Sequence, residues 1–126
     1  MKRLMIFVLA ALALPSAALA ARGDMTLATF IAKADALQAQ GPLALMSPDL
    51  ELLKAEGSAA GQSYKQRLLS ERAKGKPSSC PPDNARIEPT ELVNFLKTAY
   101  PAQARPRLTI RQGVADYFIR KFPCRR

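Results

Sequence analysis

Residues 47–73 read SPDLELLKAEGSAAGQSYKQRLLSERA. Ser47 is an N-cap residue, Pro48 stands where the first turn needs no N–H donor, and Asp49 and Glu51 lie near the positive end of the helix dipole. Leu50, Leu53, Gly57, Ala60 or Gly61, Tyr64 and Leu68 then recur every three or four residues, the period of one helix face. The small residues Gly57, Ser58, Ala59, Ala60 and Gly61 weaken this helix by about 1 kcal/mol per glycine but allow close packing. They fit one long helix, kinked at most, or two helices broken at the glycines; the continuous period favours the first.

The flanking segments follow the same rule. Upstream, Leu27, Phe30, Ile31, Ala34 and Leu37 predict an amphipathic helix over 27–40, capped by Thr26 and stopped at Gly41-Pro42. A short apolar stretch, Leu43 to Met46, leads into Ser47. Downstream, Lys74 to Asp83 (KGKPSSCPPD) is a loop by composition. Pro89 opens a third helix, with Leu92, Val93, Leu96, Ala99 and Tyr100 as its buried stripe. Pro101 to Pro106 is a linker. Thr109 caps a last helix in which Ile110, Val114, Tyr117 and Phe118 share a face and which Pro123 ends. No stretch alternates with period two for long enough to make a strand. The expected fold is all-α, a small bundle of four or five helices with one disulfide.

The first twenty residues have a different purpose. Lys2 and Arg3 precede eleven apolar residues, Leu4 to Leu14, followed by Pro15-Ser16 and by Ala18-Leu19-Ala20. This is the pattern of a cleaved secretory signal, with a core too short for a membrane anchor. Residues 1–20 are therefore expected to be removed, leaving 21–126 as one helical domain outside the cytoplasm, in the periplasm and without a transmembrane anchor. Cys80 and Cys124 are the only cysteines, and an oxidising compartment would join them. That bond closes a loop of about 45 residues, worth roughly 3–4.5 kcal/mol in the chain-entropy model. Two buried free thiols are the alternative.

Composition narrows the chemistry. The 126-residue chain has 19 Lys plus Arg, 10 Asp plus Glu and no histidine. It therefore lacks the usual neutral-pH base and the Ser–His and Cys–His catalytic pairs, and two cysteines alone cannot build a zinc site. Glu88 and Glu91 stand in a helix's first turn, where acids are favoured anyway. Asp116 among Arg111, Arg120 and Lys121 suggests an ordinary ion pair, for example with Arg120. The expectation is a protein that is not an enzyme and uses no cofactor or metal.

Charge is unevenly placed: residues 21–64 carry three bases and five acids, residues 65–126 fourteen bases and five acids. The basic clusters have no interleaved aromatics and match no nucleic-acid motif, so nucleic acid is not the expected partner. A solvated basic face or an anionic partner remains, such as an acidic periplasmic enzyme. A partner could be met by the proline-stiffened loop and its flanks, with Lys74, Lys76, Pro77, Pro81, Pro82 and Arg86 as candidate contact residues.

Three segments, taken together, carry a resemblance. They are Ala60-Gly61-Gln62-Ser63-Tyr64; Cys80-Pro81-Pro82 leading to Ile87 and Glu91-Leu92-Val93-Asn94-Phe95-Leu96; and Gly113-Val114-Ala115-Asp116-Tyr117-Phe118 closing with Phe122-Pro123-Cys124. In this order they resemble the Rap/Tai family of type VI secretion immunity proteins, over about residues 60–124. The family's further cysteine and Gly-Tyr-Ile run near residues 60–66 are represented here only by Gly61 and Tyr64. The resemblance implies a periplasmic, disulfide-bonded, all-helical antitoxin, often a homodimer, that binds and blocks a cell-wall amidase injected by a neighbouring bacterium. The alternative is a non-enzymatic envelope housekeeping protein, such as a small helical stress chaperone or a binder of an anionic envelope component.

Overall fold

The Thr26 hydroxyl accepts the Thr29 N–H (3.2 Å), starting α1 at Leu27–Gln40. The computed structural model describes residues 22–125; the expected signal segment lies outside the described residues. Gly41, at φ 58°, ends α1 in a conformation that costs other residues a Cβ clash. The chain then makes a 3-10 turn, Gly41–Met46, where the sequence suggested only a lead-in. Its side chains Leu43, Leu45 and Met46 stand in solvent, and Met46 is 85% exposed.

Helix α2 runs unbroken over Pro48–Ala73, so the glycines do not divide it. Ser47 caps its start, accepting the Asp49 N–H at 3.3 Å. At its end Gly75 N donates to Arg72 O (3.0 Å) and Lys76 N to Glu71 O (3.0 Å), the paired closure that a left-handed Gly75 permits. Helix α3, Pro89–Ala99, begins at Glu88, whose carboxylate accepts the N–H groups of Thr90 (3.2 Å) and Glu91 (2.6 Å). A short 3-10 turn, Arg105–Arg107, leads to α4, Ile110–Lys121. There Thr109 and Gln112 cap each other reciprocally, side chain to backbone in both directions.

The fold is all-α, with four α-helices among the described residues and a disulfide between Cys80 and Cys124. Helix α4 packs mainly against α2, and α1 bridges the others. Leu27, Leu96, Ile110 and Val114 are fully buried where α1, α3 and α4 meet. Gly113 is required at this crossing: a Cβ there would come within 2.6 Å of Leu96 Cδ2 and 2.9 Å of Leu27 Cδ2. A run of rings crosses the core from Tyr64 to Phe118 (5.5 Å between centroids), Tyr117 (5.6 Å) and Phe95 (5.8 Å), linking α2, α4 and α3.

Both ends of the described chain are tied down. Residues 23–27 lie against 108–111, with Leu27 N donating to Leu108 O (2.9 Å), Ile110 N to Met25 O (2.8 Å) and Arg111 N to Gly23 O (3.1 Å). This short strap also crosses α2, where the buried carboxylate of Glu56 accepts the N–H groups of Gly23 (2.7 Å) and Met25 (3.2 Å) through Oε2. The opposite end is held by the disulfide and by the bond from Cys80 N to Phe122 O (2.8 Å). No described helix is long and apolar enough to cross a membrane.

Candidate functional site

Helices α2 and α3 both pack on α1 and α4 but not on each other. The space between them is a groove of about 1090 Å³. Its floor is apolar, with Phe30, Ala34 and Leu37 of α1, Leu53 and Leu68 of α2, and Phe118 of α4. Leu92 and Val93 of α3 form one wall together with the segment from Pro81 to Ile87. The α2 edge carries Lys54, Lys65 and Arg72, and Arg86 stands on the other side. Asp83 is the one acid lining the groove.

The wall segment owes its position to local chemistry around Cys80. Ser79 is fully buried and its hydroxyl bonds Tyr64 Oη, which also bonds Ser78 Oγ (2.8 Å). The Ser78 hydroxyl and its N–H (3.1 Å) both donate to Glu71 Oε1. An ionised carboxylate only accepts, so the hydroxyl hydrogens must run in one direction, from Ser79 to Tyr64 to Ser78 to Glu71. Arg67 holds the second carboxylate oxygen at 3.1 Å. Beyond the serines, Arg72 reaches the Pro81 carbonyl (3.5 Å), and Ile87 lies over Gly61, where a Cβ would stand 3.3 Å from its Cδ1.

The hydrogen bonds from Ser78, with Arg67 beside them, hold the Glu71 carboxyl below its ordinary value of 4.5. A carboxyl lowered in the folded state contributes stability above its unfolded value, and that contribution is lost as pH falls through the lower folded value. The loop clamp should therefore persist at pH 5 and weaken only below 4.5. Titration of the Ser78 amide by NMR should show a midpoint under 4.5, and Ser78→Ala should move the Glu71 midpoint upward. A Glu71 midpoint unchanged by Ser78→Ala would exclude the clamp as its cause.

The six residues expected to meet a partner do not form one patch. Pro81, Pro82 and Arg86 line the groove. Lys74 and Lys76 are exposed beyond the end of α2, and Pro77 is half-buried beneath them, all three off the groove lining. The carboxylates weighed for catalysis have structural partners. Glu88 is the α3 cap, while Glu91 Oε2 accepts from Lys121 Nζ (2.6 Å) and Tyr117 Oη (3.1 Å), joining the start of α3 to the end of α4. Lys121 accordingly lowers the Glu91 carboxyl, and Glu91 raises the Lys121 ammonium. Asp116 accepts the Tyr100 hydroxyl rather than pairing with Arg120, and burial together with that carboxylate drives the Tyr100 phenol upward. Among the described residues no three Cys, Asp or Glu side chains gather as metal ligands would.

Glu56 and the groove escaped the sequence reading. Glu56 falls on the buried spacing Leu53, Glu56, Ala60, Tyr64, and an acid at a core register was the available signal. The groove had no sequence signal, because it arises from where α3 does not pack. Comparisons with protein-family models, curated proteins and solved structures found no match.

Proposed function

We propose that this chain is an exported, non-catalytic immunity protein that binds and blocks a cell-wall amidase delivered by type VI secretion. The observation that carries the binding reading is the groove itself: a large apolar trough with a basic edge, walled by the segment that Cys80 anchors. Apolar clefts edged by a few charged groups are where proteins hold ligands and partner segments. The immunity role rests on the resemblance, whose two cysteine contexts are joined by one bond in this fold. The excess of bases in residues 65–126 favours an acidic partner and fast, salt-sensitive association.

The test is protection. Cells producing a periplasmic amidase toxin encoded beside this gene should survive when this chain is co-exported, and the two proteins should purify as a stoichiometric complex. Charge reversal at Arg86 on the groove, compared with Lys74 and Lys76 beyond it, identifies the inhibitory side by which variant slows association. Absence of both protection and a complex would sink the immunity reading. The exposed apolar groove would then favour a housekeeping role in the envelope, as a holder of unfolded clients, testable by suppression of client aggregation.

A further inference from the structure

We infer that the groove between α2 and α3 is the seat of an added helix, an amphipathic segment of a partner protein whose apolar stripe is flanked by carboxylates. The inference deepens the binding reading above and does not depend on the partner being a toxin. Its first support is shape. α2 and α3 rest on the same two helices without meeting, so the layer they form lacks a member at the trough. From Lys54 to Arg72 the α2 edge is about 27 Å long at 1.5 Å per residue, enough for some five turns of a docked helix. At about 1090 Å³, the groove exceeds the usual range for a small-molecule pocket.

The second support is Gly57. A Cβ at this position would meet nothing within 4 Å, so the chain's own packing does not require glycine there. Glycine weakens a helix interior, yet this one lies on the groove with Ser58 beside it, whereas Gly61 is covered by Ile87 of the same chain. Small residues along one helix face let a second backbone come close, which suits helix-on-helix packing at 8–10 Å between axes.

The third support is charge. Lys54, Lys65 and Arg72 are spaced by eleven and seven residues, which at 100° per residue sets all three within about 20° of one line along α2. Arg86 faces them across the trough, and Asp83 is the lone acid. Among the described residues neither Lys65 nor Arg86 has an ion-pair partner, and Lys54 holds only the exposed Glu51 (3.3 Å). An incoming helix with Leu or Val beneath and Glu along both edges would satisfy floor and rim together; a basic or purely apolar helix would not.

The experiment uses the exported protein and two synthetic 18-residue helices with the same leucine face, one edged with Glu and one with Lys. By calorimetry and amide NMR, the Glu-edged peptide should bind at least tenfold more tightly, weaken as salt rises, and shift the amides of Gly57, Gly61, Leu69 and Val93. Gly57→Leu, which projects into open space and should keep or raise the melting temperature, should weaken binding at least tenfold. Lys65→Glu combined with Arg86→Glu should reverse the peptide preference. Equal binding of the two peptides, or undiminished binding by folded Gly57→Leu, would overturn the inference. So would self-association that Gly57→Leu abolishes, which would make a second copy the occupant, or displacement of the peptide by an anionic lysolipid at equal concentration. Equal binding of the two peptides beside an intact toxin complex would overturn the groove proposal alone and leave the immunity reading standing.

Discussion

Cys124→Ala is expected to lower the unfolding free energy by about 2–5 kcal/mol, seen as a fall in the denaturation midpoint of the oxidised protein. The bond joins residues 44 apart in sequence, and removing it returns to the unfolded chain the freedom of that loop. The folded state loses little direct contact, since Cys80 N still donates to Phe122 O and Phe122 still stacks on Phe118 at 5.9 Å. The unfolded chain therefore gains most from the substitution. Reductant should produce the same fall in the wild type and none in the variant. A loss under about 1 kcal/mol would mean that the hydroxyl chain from Ser79 to Glu71 secures the loop by itself.

The second large effect is expected at Glu56. Glu56→Ala should cost about 2–4 kcal/mol, because it strands the buried Gly23 N–H and the part-buried Met25 N–H, and a buried donor left without an acceptor costs roughly 1–3 kcal/mol. Glu56→Gln keeps an acceptor oxygen at the same reach and should cost only about 1 kcal/mol. Hydrogen exchange separates this local effect from general destabilisation: the Gly23 amide should lose protection in the alanine variant before the core amides of α4 do. Equal midpoints for wild type and Glu56→Ala would show that water replaces the carboxylate freely, and the strap would then have to be held by its bonds to 108–111 alone.

The helices were legible because their signals are local. Thr26, Ser47 and Thr109 are caps whose hydroxyls accept from residues two or three positions on, and the apolar spacing of Phe30, Leu53, Leu92 and Val114 is written in the chain. The Cys80–Cys124 bond was legible from arithmetic, since two cysteines allow one intramolecular pairing. What escaped depends on partners distant in sequence. Glu56 is satisfied by backbone N–H groups more than thirty residues away, which no side-chain pattern reveals. Asp116 takes a hydroxyl from Tyr100 across two helices, whereas the local rule pointed to Arg120. The 3-10 turn at Gly41–Met46 is too short to show a period, so the sequence offered only an apolar lead-in to Ser47 and no sign that its leucines are exposed. Of the expected contact residues, the groove gathers those on the far side of Cys80 and leaves out Lys74, Lys76 and Pro77 before it, a division set by the tertiary path of the loop.

The strap has a consequence for the order of assembly. A chain made from its N-terminus offers residues 23–27 first and their partners 108–111 nearly last, so the contact of greatest sequence separation waits for almost the whole polypeptide. Helices α1 and α2 can pair early, since both are local and adjoin. Until α4 arrives, however, Leu27 on α1 has no cover, and Leu96 on α3 lacks the crossing at Gly113 that buries it. The nascent chain thus carries an open apolar seam through most of its synthesis, and the segment that closes it is the one a premature stop removes.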